Sequence, residues 1–145
     1  MAEIKKISKC SITNALSDNT RQYLIGNLKL PQELEHIQDQ DLEIGITGYK
    51  QATSEAPHTH TRAKEYQYMI GGRTEYLNIH TGEVSMFEEG DFYLIETGVA
   101  YAQRSEANTT ILFIKYPGGN DKVDIEITPE VSEWLNNPVG SVYHG

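Results

Sequence analysis

Between residues 65 and 116 the chain is a succession of short apolar and aromatic segments separated by glycine turns. No other feature of the sequence restricts the fold as much. The segments read EYQYMIGG, RTEYLNIH, EVSMF, DFYLIE, VAYAQR and TTILFIKY, joined at Gly71-Gly72, Thr81-Gly82, Glu89-Gly90, Thr97-Gly98 and residues 105–109. Strand-like runs of this length, with a turn signal every eight to twelve residues, describe an antiparallel sandwich or barrel. Their tyrosines, isoleucines, valines and threonines suit a pleated, half-buried surface. Residues 42–51 (LEIGITGYKQ) add a further strand that alternates as far as Ile46. The expected fold class is all-β: one domain over residues 1–145, with a barrel core at about 42–116.

Helical periodicity is nearly absent. Residues 31–41 (PQELEHIQDQD) read as a loop or a short helical turn. One helix is expected near the C-terminus, at about 129–137, because Thr128 can cap it and Pro129 suits its first position. Val131, Trp134 and Leu135 would form its apolar stripe, packed on the outside of the barrel.

A chain of 145 residues and 16.3 kDa buries enough surface to fold without a staple. Its 21 acidic and 12 basic residues give a net charge of −9, which disfavours nucleic acid and anionic membrane surfaces. The longest uninterrupted apolar runs are four residues, so no transmembrane helix is expected. The single cysteine, Cys10, has no partner for a disulfide within the chain and suits a reducing compartment, so the expected location is cytoplasmic.

The chemistry-bearing feature is His58-Thr59-His60, with Glu65 opening the next strand. On an extended chain residues i and i+2 share a face, so both imidazoles can reach one point. Two imidazoles and a carboxylate suit a divalent metal with open positions for substrate, and the absence of sulfur favours Fe, Mn, Ni or Zn. If Glu65 points inward, so do Gln67 and Met69, while Tyr66, Tyr68 and Ile70 point outward.

The run HTHTRAKEYQYMIGG has the form His-x-His, four residues, Glu, six residues, Gly, and it resembles the first motif of the cupin superfamily of small antiparallel β-barrels. Gly72 is the closing glycine, and Ala52 stands at the leading one. After a 17-residue gap, GDFYLIETGVAYAQRS resembles the second cupin motif through Gly90 and Gly98. Glu96, Tyr101 and Ser105 stand where that motif has proline, histidine and asparagine. The resemblance implies a jelly-roll barrel with a metal inside it, and a menu of dioxygenases, isomerases, epimerases and decarboxylases acting on small molecules. It also implies that Tyr101 replaces a fourth metal ligand.

Tyr101 could be a phenolate ligand, a hydrogen-bond donor behind a site of His58, His60 and Glu65, or a filler of the barrel. The second reading is carried forward. Glu65, Tyr101 and Gln103 are then the expected catalytic groups, and Gln67, Met69, Tyr101 and Gln103 the expected ligand pocket. The expected function is a metal-dependent enzyme, of dioxygenase or isomerase type, on a hydroxylated or carbonyl compound. The alternatives are a metal-free cupin that binds a sugar or sugar nucleotide, and an accessory module acting through its surface. The outward aromatic set is expected to pair two copies as a homodimer. The run Pro117-Gly118-Gly119-Asn120-Asp121 reads as a turn.

Overall fold

The fold is described from a computed structural model, covering residues 2–145. Its elements are α1 (Lys9–Asp18), β1 (Arg21–Gly26), β2 (Ile37–Gln38), β3 (Glu43–Tyr49), β4 (Thr53–His60), β5 (Lys64–Gly71), β6 (Arg73–Asn78), β7 (Val84–Glu88), β8 (Phe92–Ile95), β9 (Tyr101–Ser105), β10 (Thr109–Tyr116), β11 (Lys122–Asp124) and α2 (Pro129–Asn136). The class is all-β, as the glycine-punctuated pattern implies.

The strands form two sheets, ordered β2-β1-β3-β10-β5-β8 and β11-β4-β9-β6-β7. Hydrogen bonds do not close them into one continuous barrel, so the architecture is a jelly-roll sandwich in which each sheet keeps its own edges. Inward positions follow the parity read from the sequence. Gln67 and Met69 on β5 are buried, while Tyr68 and Ile70 are 42% and 44% exposed. Met69, Tyr49, Tyr76, Tyr93, Tyr101 and Ile111 make the core between the sheets.

Gly72, which closes the first motif, turns the chain from β5 into β6 at φ +82°, and a β-carbon there would collide with Thr109. Glycine is therefore required at this position by both conformation and space.

The C-terminal helix forms where expected. Thr128 Oγ1 accepts the Val131 N–H at 3.3 Å, and Pro129 occupies the first turn. Val131 and Trp134 are each 1% exposed and pack on Leu77 and Ala102, covering the outer face of the five-stranded sheet.

The N-terminal region departs from expectation. Residues 9–18 form a helix capped by Ser8, whose side chain accepts the Ser11 N–H. Its only buried side chain is Ala15, so it carries no apolar stripe from which a helix could be read. The β-structure also begins earlier than residue 42, because β1 pairs with β3. Residues 31–41 are a loop that contains the two-residue strand β2.

Candidate active site

The site lies between the sheets, in a cavity of about 940 Å³ lined by residues of β1, β3, β4, β5, β9 and β10. On β4 the extended backbone puts His58 and His60 on the same inward face, with ring centroids 5.1 Å apart. On β9, Tyr101 pairs in register with His58. Glu65 opens β5 on the opposite sheet and completes the group.

The hydroxyl of Tyr101 donates to Glu65 Oε1 at 2.8 Å and lies 3.0 Å from His58 Nε2. Glu65 Oε1 is also 3.3 Å from His60 Nε2. Each imidazole is tied from behind at Nδ1. His58 donates there to the Ala56 carbonyl at 3.2 Å, and His60 donates to Asp121 Oδ1 at 2.8 Å. Such anchoring fixes the tautomer and turns Nε2 inward as the free nitrogen.

Proton arithmetic then defines what the site lacks. A neutral His58 held at Nδ1 offers a lone pair at Nε2, and Tyr101 has one proton for two acceptors, Glu65 and His58. A neutral His60 likewise points a lone pair at a carboxylate oxygen. The centre is rich in electron pairs and short of positive charge.

A proton on His60 is one remedy. Burial opposes it, but hydrogen bonds to Glu65 and Asp121 outweigh burial and raise the His60 pKa above the ordinary histidine value. A divalent cation is the other remedy, and the donor set fits one: two pre-oriented imidazole nitrogens and a carboxylate. Among the described residues, though, no group of three or more His, Cys, Asp or Glu side chains is already gathered as a metal cluster. The Tyr101 hydroxyl stands between two of the donors instead.

The remaining charge states follow from position. Burial, with Lys122 and His60 nearby, keeps His58 below the usual histidine value despite its bond to Ala56. Glu65 is buried, which favours its neutral form, yet His60 and Tyr101 hold its carboxyl below the usual range. Tyr101 is pushed well above the normal phenol value by burial and by the Glu65 charge. It is therefore a neutral donor at physiological pH.

Asp121 is the residue that sequence reasoning missed. It sits at the end of the Pro117–Gly119 turn, and its Oδ2 accepts the N–H groups of Arg62 at 2.9 Å and Ala63 at 2.7 Å. Its Oδ1 takes His60 at 2.8 Å and lies 3.1 Å from Lys115 Nζ. Burial works against its charge, but the Ala63 N–H, His60, the Arg62 N–H and Lys115 together hold it well below the ordinary aspartate value. Only the pairing of β11 with β4, Lys122 opposite His60, reveals this contact.

A pH prediction follows from Asp121. A carboxylate with a depressed folded pKa contributes stability that is complete above the unfolded value, near 3.9, and is lost as pH falls through the folded one. Between about pH 4 and pH 2, urea-unfolding stability should therefore fall less steeply in Asp121→Asn than in the wild type. Equal slopes would show that Asp121 is not so held.

The predicted pocket residues divide. Gln67 lines the cavity, and its Oε1 accepts from both Tyr76 and Tyr93 at 2.9 Å. A phenol can accept as well as donate, so the amide is oriented by the acceptor-only carboxylate of Glu65, whose Oε2 lies 3.5 Å from Gln67 Nε2. Neither Tyr76 nor Tyr93 was singled out by the sequence. Gln103 lines the cavity but donates to Thr74 Oγ1 at 3.0 Å and makes no hydrogen bond to the histidine cluster. Met69 is fully buried in the core, packed among the tyrosines. Beyond these, Tyr49 donates to Glu55 at 2.8 Å, and Arg21 lies 3.4 Å from the same oxygen, on another part of the cavity wall.

No protein-family model matches the sequence, and no curated protein matches it. Solved structures do. A Klebsiella pneumoniae protein with a double-stranded β-helix domain is 18% identical with a TM-score of 0.51, over 59% of this chain and 76% of that one. A nucleoside dehydratase from Streptomyces is 11% identical with a TM-score of 0.52, over 61% of this chain and 71% of that one. The DMSP lyase DddQ of Ruegeria pomeroyi is 17% identical with a TM-score of 0.54, over 76% of this chain and 52% of that one. The strand order, the two facing sheets and these likenesses agree: the chain has a double-stranded β-helix fold.

Proposed function

We propose that this chain is a small-molecule cupin enzyme that moves a proton on a hydroxylated carbonyl compound, in a reaction of isomerase or lyase type. The observation that carries the reading is the Tyr101–Glu65–His58–His60 cluster, tied from behind by Asp121 and Ala56 and open to a cavity large enough for a small ligand. His58, His60 and Glu65 would hold a divalent cation. That cation would supply polarisation of a substrate oxygen.

The chain's own groups do the rest. Tyr101 is neutral and hydrogen-bonded to a carboxylate, so it can give its proton to a substrate oxygen as the Glu65 carboxylate takes one up. Asp121 keeps His60 oriented. Gln67 presents an oriented N–H₂ beside Glu65, which favours a substrate oxygen at that spot. Two of the structural neighbours are a nucleoside dehydratase and a DMSP lyase, in keeping with a reaction of lyase type. A cytoplasmic setting and a homodimeric state belong to the same proposal.

A panel of α-hydroxy aldehydes, ketones and sugar acids, incubated in D₂O with metal-supplemented protein, tests the reading. Proton NMR should show deuterium entering beside the carbonyl of at least one compound, and Tyr101→Phe should slow it. Absence of exchange across the panel in the metal-supplemented wild type would count against proton transfer as the activity.

A second reading has its own observation. The Tyr101 hydroxyl already bridges His58 and Glu65. On that reading the same four groups act without a metal, and the cavity binds a sugar-like ligand.

A further inference from the structure

The basic residues of this acidic chain are unevenly placed. Four of the twelve, Arg21, Lys29, Lys115 and Lys122, line the cavity that holds the histidine cluster. Four acidic residues match them there, so the cavity wall is neutral and the rest of the chain carries the whole charge of −9. The field that repels an anion elsewhere is cancelled at this mouth.

The four cations differ in what already holds them. Lys115 is engaged by Asp121 at 3.1 Å and by the Gly119 carbonyl. Lys122 makes no ion pair among the described residues. It stands opposite His60 in the pairing of β11 with β4, and residues paired in this way project from the same face of a sheet. Its ammonium group is therefore an uncommitted charge on the cavity wall, beside the cluster.

Another part of the wall is built for hydroxyls. Arg21 is fixed through Nε, which donates to Thr47 Oγ1 at 2.9 Å, and its Nη2 lies 3.4 Å from Glu55 Oε1. The Tyr49 hydroxyl donates to that same oxygen at 2.8 Å. Arg21 Nη1 and Glu55 Oε2 keep no partner among the described residues. A free donor beside a free acceptor, in a pair without net charge, suits two adjacent hydroxyls of a ligand, one accepting and the other donating. Both places open on one cavity of about 940 Å³, far more room than a triose needs.

We propose that the substrate is a polyhydroxy acid, its carboxylate held by Lys122 beside the histidine cluster and its distal hydroxyls by Arg21 and Glu55. The proposal rests on the reading that the compound reacts at that cluster, and it names the class of compound and the residue that selects it. A carboxylate is favoured over a phosphate ester because one uncommitted ammonium matches a single negative charge.

Isothermal titration of metal-supplemented, full-length protein with D-gluconate and D-glucitol tests this. The two share one carbon chain and differ where a carboxylate replaces a CH₂OH group. Neither has a carbonyl, so the titration reads binding alone, and its failure is distinct from a failure of the deuterium-exchange assay. Gluconate should bind at least about tenfold more tightly than glucitol, the worth of a charge-assisted hydrogen bond. Lys122→Met should bring the two within about twofold by weakening gluconate alone, and Lys122→Arg should keep the preference. Lys9→Met removes the same charge from α1, outside the cavity lining, and should also keep it. Failure of both compounds to bind, equal binding of the two by the wild type, or a preference that survives Lys122→Met would each overturn the proposal. So would a preference that Lys9→Met abolishes equally, or tighter binding of glucitol 6-phosphate than of gluconate.

Discussion

Replacing Arg104 by methionine is expected to remove about 3–5 kcal/mol of folding stability, a large share of what a domain this size has. Arg104 is 2% exposed and is held at 2.8 Å by Glu75, itself 4% exposed. Its guanidinium also donates to the carbonyls of Trp134, Asn137 and Ser141, and lies 4.1 Å from the centre of the Trp134 ring. One side chain therefore fastens α2 and the following tail to β9.

Without Arg104, Glu75 is a buried carboxylate whose remaining donor is the Gly140 N–H, at 2.7 Å, and the carbonyls of Asn137 and Ser141 lose their partner, while that of Trp134 keeps only the Asn137 N–H. The urea midpoint should drop by about 2 M, for a slope of about 2 kcal/mol per molar. Arg104→Met combined with Glu75→Leu should lose less than Arg104→Met alone, since the unpaired charge is gone. A loss below 1 kcal/mol in Arg104→Met would mean that the tail is held by its apolar contacts.

The second large effect concerns Glu65. On any compound that the wild type turns over, Glu65→Gln should lower kcat by about 10²–10⁴-fold. The carboxylate is the acceptor of the Tyr101 proton and the partner of His60, and an amide keeps its shape while losing its charge. KM should change far less than kcat, because Gln67 and the cavity walls remain. Activity within threefold of the wild type would remove Glu65 from the chemistry.

Much of the fold was legible because its signals are local. Glycine turns such as Gly71-Gly72 and the period-two parity of β5 need no long-range knowledge. His58, His60, Glu65 and Tyr101 could be singled out as one group because i, i+2 spacing and the cupin-like spacing both act along the chain, and the structure brings them together. What was missed depends on strand pairing. Asp121 reaches His60 only because β11 lies beside β4, Tyr76 reaches Gln67 from β6 across the interior, and Tyr93 reaches it from the neighbouring strand β8, in register with it. Gln103 was expected near the chemistry by parity with Tyr101. Parity gave its face correctly, but the amide turned to Thr74 instead.

The N-terminal helix was hidden for a different reason. With only Ala15 buried, α1 is held by its Ser8 cap and its seat on β1 rather than by a stripe. The outer face of the six-stranded sheet was partly visible as Tyr66, Tyr68 and Ile70. The isoleucines of β3 and the leucine and isoleucine of β10 join them only once the register is known.

His58, His60 and Glu65 are proposed to form a cation-binding centre with Tyr101 behind it. Metal analysis by inductively coupled plasma mass spectrometry, on untagged protein equilibrated with Fe, Mn, Ni or Zn, tests it most directly. One metal per chain is predicted for the wild type, and its loss in His58→Ala/His60→Ala. Tyr101→Phe should retain the metal, and bind it at least as tightly, because His58 Nε2 and Glu65 are released from the phenol. No stoichiometric metal in the wild type with any of these ions, or its disappearance in Tyr101→Phe, would contradict the account.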